Sequence, residues 1–166
     1  VDRIVERDVA AVVQVDAVTT AEARMREARM ASMIRFYAGQ TIRSSERAEW
    51  QNRLRAAETA LNDLNATVAG YQQTAASSNR ASLWEGMKST SDNAQRIFAE
   101  LRADSIAQFD AMAAGDREEV QARAAAIEEA ASPTRSWIVG SSAIGTAVVM
   151  EAPRVTRARM PSTNSS

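Results

Sequence analysis

The stretch WQNRLRAAETALNDLNATVAGYQQTA, residues 50–75, decides the fold. Its apolar residues Trp50, Leu54, Ala57, Leu61, Leu64, Val68, Tyr71 and Ala75 lie alternately four and three apart, with mostly polar residues between them. An apolar stripe repeating about every 3.5 residues stays on one side of a helix, so the segment reads as the seam of a coiled coil or a long helical bundle. The alternation recurs upstream in Ala11, Val15, Val18, Met25 and Ser32. It recurs downstream in Val120, Ala124, Ile127, Ala131, Thr134, Ile138, Ser141, Gly145 and Val148.

Composition agrees with an all-helical domain. The chain has 166 residues, 45% of them apolar and 25% charged, enough for one domain with a continuous core. Six Gly and three Pro leave little room for a turn-rich all-β fold. There is no Cys and no His, which removes disulfides, thiolate nucleophiles, imidazole bases and nearly all transition-metal sites. Di-iron carboxylate bundles need Glu-x-x-His pairs and are excluded. No cofactor and no metal is expected.

The net charge of −1 hides an asymmetry: residues 1–133 hold 16 basic and 20 acidic residues, whereas residues 134–166 hold 4 basic and 1 acidic. A mildly acidic body does not suggest nucleic acid as a partner. Residues 151–166, with Pro153, Pro161 and a Ser/Thr finish, read as a disordered basic and polar tail; Arg154, Arg157 and Arg159 would alternatively meet a phosphate or an anionic lipid. The uncharged run Ser136 to Met150 is shorter than the roughly 20 residues a membrane span needs, so it reads as a buried helix and the segment as soluble. The start at Val1 reads as an excised piece of a longer chain.

Stop and start signals divide residues 1–150 into helices at about 2–38, 46–76, 83–114 and 117–150. Gly39 and Gly115 are left-handed stops. Ser45 is expected to cap the second helix, with Glu46 and Glu49 in its first turn. Ser82 with Glu85, and Asp116 with Glu119, have the form of capping boxes for the third and fourth helices. Pro133 either kinks the fourth helix near Ser132 or ends it. Long helices joined by short turns are antiparallel neighbours, so the expected fold is an up-down-up-down four-helix bundle about 50 Å long.

The first helix carries the distinctive chemistry. Val9 to Val18 is apolar nearly all round, and such a helix needs cover from outside its own bundle; a homodimer through helix one is expected. Arg24, Arg26, Arg29 and Arg35 then follow within twelve residues. Arg24 and Arg35 share nearly one stripe with Ala28 and Ala31 between them, which predicts a shallow basin of small residues flanked by guanidinium groups. Arg29, like Glu22, falls on the seam itself and points into a core or an interface, where an unpaired charge costs several kcal/mol. Its partner is either Glu22 two turns back or a carboxylate from outside. Arginine grips carboxylates bidentately, so the cluster is a candidate anion site, with Phe36 and Tyr37 as candidate pocket walls.

With four long helices, a crowded first helix and these arginines, the chain resembles the four-helix-bundle ligand-binding domain of methyl-accepting chemotaxis receptors, the aspartate-receptor type. The likeness covers residues 1–150 and fades past Ser136. In that family three arginines on helix one, spaced five and then four, clamp a small ligand's carboxylates at the dimer interface. Arg24 and Arg29 keep the first spacing; the third position is Met33, with Arg35 close by. The family's Pro-Thr pair on helix four, whose Thr contacts the ligand, is similar to Pro133-Thr134. The resemblance implies a periplasmic sensor of a membrane-anchored, homodimeric chemoreceptor, not an enzyme. It implies binding of a small organic carboxylate through Arg24, Arg29, Arg35, Thr134, Phe36 and Tyr37, and signalling by a helix shift. The alternative is a structural or surface-coating bundle with no small ligand. An arginine-based mutase needs arginines from several helices, and their clustering on one argues against it.

Overall fold

A computed structural model describes residues 2–132, and all the statements below concern those residues. They form an antiparallel up-down-up-down four-helix bundle: α1 (Asp2–Tyr37), α2 (Ser44–Gln73), α3 (Ser78–Ala114) and α4, residues 117–132. The course of the fourth helix beyond Ser132, the tail 151–166 and Thr134 lie outside the described residues.

The stripe that opened the reading is the spine of the core. Trp50, Leu54, Ala57, Leu61, Leu64 and Val68 are all buried, and Tyr71 and Ala75 are half-buried at its end. They pack against Ala11, Val15, Val18 and Met25 of α1 and against Trp84, Met87, Ala94 and Phe98 of α3. Ile127 of α4 joins Ile97 and Leu101 in a smaller apolar cluster. The antiparallel order is marked by cross-helix contacts at both ends. Arg35 meets Glu46 at 2.6 Å and Arg7 donates to the Thr74 carbonyl at 3.0 Å; Arg47 meets Asp110 at 2.6 Å and Asn65 meets Asp92 at 2.6 Å.

Both glycine stops take the left-handed conformation, Gly39 at φ 77° and Gly115 at φ 73°, which a side chain would strain. Two helix starts differ from expectation. The second helix begins at Ser44, because the Glu46 carboxylate accepts from the backbone N–H of Arg43 at 2.8 Å and thereby closes the turn one step ahead of Ser45. The third begins at Ser78 rather than about 83. Ser77 is the first competent cap after α2, and its hydroxyl accepts from the Arg80 N–H at 3.3 Å, so Ser82 and Glu85 lie within the helix. Asp116 does cap α4, accepting from Glu119 N–H at 3.0 Å, while the Glu119 carboxylate turns to Arg123 at 2.6 Å.

Candidate functional site

Arg29 stands where the seam register puts it, inside the bundle, only 5% exposed. Glu22, the expected partner within the chain, is not its hydrogen-bond acceptor. Its Nη1 donates to the Gln108 side-chain oxygen at 3.0 Å and to the Met33 sulfur at 3.3 Å. Gln108, wholly buried on α3, donates its own amide to the Val120 carbonyl of α4 at 3.1 Å. A polar chain thus runs from α1 through α3 to α4. Burial pushes the Arg29 guanidinium below its ordinary pKa; Glu128 opposes that most, Arg26 adds to it, and Glu22 opposes it again. The charge is therefore held by two neutral acceptors, the Gln108 amide oxygen and the weaker Met33 sulfur, and by the field of two carboxylates, an arrangement that needs a well-ordered neighbourhood.

Beside it lies a cavity of ≈ 20 Å³ between α1, α3 and α4, bounded by Glu22, Arg26, Arg29, Ser105 and Glu128. That volume has room for one water molecule and none for an organic ligand. Glu22 is itself buried and stands 3.8 Å from Arg26.

The other candidates go elsewhere. Arg24 is exposed and lines a groove of ≈ 320 Å³ against α2, with Glu49, Asn52 and Arg53. Arg35 is paired with Glu46. The basin around Ala28 and Ala31 is present, at ≈ 370 Å³, but Glu27, Glu46 and Glu49 line it with Arg53 as its one guanidinium, so it is acidic rather than basic. Arg24 and Arg35 sit eleven residues apart on the α2 side, whereas Arg29 is turned by five residues, well over a quarter-turn, into the core. No single site within one chain gathers the three. Phe36 is buried in the core, and Tyr37 is exposed, edge-on to Phe36 at 5.6 Å, with the Arg117 guanidinium over its ring at 5.6 Å.

Two polar positions escaped the sequence reading. Gln108 sits in the α3 register Leu101, Ser105, Gln108, Met112, spaced four, three and four, and a polar residue in a seam is the signal that would have found it. Asp8, 1% exposed, pairs with Arg80 of α3, whose guanidinium lies 5.7 Å from the Trp84 ring centre.

Outside, α1 carries a second stripe. Val9, Val13, Met30, Ile34 and Tyr37 are large, apolar and exposed, Val13 at 61% and Ile34 at 67%. They share one heptad register with Asp16, Thr20, Ala23 and Glu27 between them, so the stripe is apolar at both ends and polar in its middle. Arg24 and Arg26 flank that middle from opposite sides. Among the described residues no helix is long and apolar enough to cross a membrane, and no group of three or more Asp or Glu is placed to hold a metal ion. No family model, curated protein or solved structure matches the chain.

Proposed function

We propose that this domain is the extracytoplasmic ligand-binding part of a membrane-anchored bacterial chemoreceptor. It pairs with a second copy through α1, takes a small organic carboxylate at or near that interface, and transmits binding as a helix shift. The observation that carries the reading is the outer stripe of α1. Large apolar side chains exposed in a heptad register are what a partner helix buries, and monomers seldom leave such a stripe open. Its middle, Thr20 and Ala23, is small and leaves a gap between two facing helices, and Arg24 and Arg26 from both copies would border it. A carboxylate seated there would meet guanidinium groups with planar, bidentate geometry. A ligand that prefers one packing of the pair over another would shift the equilibrium between them, which is the thermodynamic content of signalling.

One observation favours the second reading, a structural bundle without a small ligand. Arg29 and Arg35 already have partners inside the chain, in Gln108 and Glu46.

The two readings separate in sedimentation velocity combined with a thermal-shift screen against dicarboxylates, tricarboxylates, amino acids and aromatic acids. The sensor reading expects a dimer tightened by a carboxylate, abolished by Ile34→Asp, and a melting-point rise that Arg24→Gln removes. A flat screen at millimolar ligand, with assembly unchanged by Ile34→Asp, rejects it.

A further inference from the structure

The end of the bundle that carries the α1–α2 and α3–α4 turns holds a groove where the core reaches the surface at Phe36 and Met112. It is formed where Phe36 to Ile42 runs beside Met112 to Arg117, and it has an open volume of ≈ 470 Å³. That falls within the roughly 300–1,000 Å³ of small-molecule sites. Both turns pivot on their left-handed glycines, and nothing lies within 4 Å of where a Cβ would stand on Gly39 or Gly115, so the space beside both turns is open.

The lining divides into two chemistries. Phe36, Ile42 and Met112 give it an apolar floor. Arg117 stands at its rim, and its guanidinium is held in place twice: Nη2 donates to the Tyr37 carbonyl at 3.1 Å, and the group lies over the Tyr37 ring at 5.6 Å. Arg117, like Arg7, Arg24 and Arg55, makes no ion pair among the described residues, whereas Arg35, Arg47, Arg53, Arg80, Arg96, Arg102 and Arg123 each pair with a carboxylate. Asp116 and Glu118 adjoin Arg117 in sequence, and Asp116 is engaged in capping α4. A positioned guanidinium with donors to spare above an apolar floor fits one class of molecule, an anion with a compact apolar body.

We propose that this groove is a binding site for small amphipathic monocarboxylates, the apolar body on Phe36, Ile42 and Met112 and the carboxylate on Arg117. The site lies within one copy of the chain and is independent of the α1 arginines, so it stands or falls separately from the dimer-interface reading.

The test is a titration of the full ¹⁵N-labelled chain with sodium benzoate, followed by amide shifts, with benzamide and sodium chloride as controls. Benzoate is expected to move the Gly39 and Gly115 amides to saturation at millimolar concentration. Benzamide, and benzoate on Arg117→Gln, should bind about tenfold more weakly, one charge-assisted hydrogen bond's worth. Ala114→Glu, which brings a carboxylate to the exposed end of α3 beside the rim, should weaken binding likewise, and Arg24→Gln should not change it. Equal binding of benzamide and benzoate, insensitivity to Arg117→Gln, or shifts centred on residues 20–27 and lost in Arg24→Gln would each overturn the proposal.

Discussion

Replacing Gln108 by Leu should destabilise this bundle far more than replacing Arg29 by Met, although both changes remove the same hydrogen bond. In Gln108→Leu the guanidinium stays buried, 5% exposed, without the acceptor that stood 3.0 Å from its Nη1. A hydrogen bond to a charged group is worth about 1.5–3 kcal/mol, and stranding a buried ion costs about 3–5 kcal/mol. The fitted apolar side chain returns part of that, which leaves a net loss of about 3 kcal/mol. In Arg29→Met the charge and its desolvation vanish together, a flexible thioether fills the space, and only the Gln108 oxygen is left without its donor. The net change should stay within about 1 kcal/mol. The double variant removes the buried guanidinium and its acceptor together and should be more stable than Gln108→Leu alone. Urea unfolding, followed by far-ultraviolet circular dichroism, measures all four corners of the cycle. The single losses correspond to about 3 °C in melting temperature per kcal/mol for a chain of this size. A Gln108→Leu variant within about 0.5 kcal/mol of wild type, or a coupling below that, would refute the idea that Gln108 is the principal acceptor for the buried charge.

Asp8→Asn should destabilise the fold, since it removes a buried carboxylate charge that pairs with Arg80 at a nearly sealed position; the loss should appear in unfolding followed by tryptophan emission, because Arg80 lies 5.7 Å from the Trp84 ring centre. Gly115→Ala, at φ 73°, should destabilise by about 1 kcal/mol, whereas Gly86→Ala, within α3 and with nothing within 4 Å of its new Cβ, should stabilise by about 0.5–1 kcal/mol in the same assay. The Glu46 carboxyl is held below its ordinary pKa, first by the Arg43 backbone N–H and then by Arg35, and that of Asp92 by Lys88 and then Asn65. A carboxyl whose folded pKa is depressed stabilises fully above the ordinary carboxylate range, and its contribution disappears as pH falls through the folded value. The double variant Glu46→Gln and Asp92→Asn should therefore unfold along a shallower acid limb, by a modest amount because both ion pairs lie at the surface.

The partners of Gln108 and Asp8 were illegible for a shared reason. Arg29 and Gln108 are 79 residues apart, and Asp8 and Arg80 are 72 apart, so each pairing depends on how α3 is rotated against α1 across the bundle. Nothing in the local pattern sets that angle. The arginines show the same divide. That Arg29 is buried follows from its register alone, and that Arg24 and Arg35 share a side follows from their spacing. That Arg35 is already matched by Glu46, and that the Ala28 basin is ringed by carboxylates, required α2 to be placed beside α1. The third helix start went to Ser77 over Ser82 because capping is a competition between competent residues, and proximity to the preceding turn decided it.

The sequence by itself determined the all-helical class, the order and direction of the helices, the residues that form the spine of the core and the two glycine stops. Each of these rests on periodicity and backbone preference within a few turns of helix. The tertiary structure alone decided which charge meets which partner, that Arg24, Arg29 and Arg35 do not converge within one chain, and that the two turns enclose a groove with Arg117 at its rim. Those outcomes depend on the axial rotation and relative height of packed helices. Side-chain packing of the whole core fixes these quantities, and no short stretch of the chain encodes them.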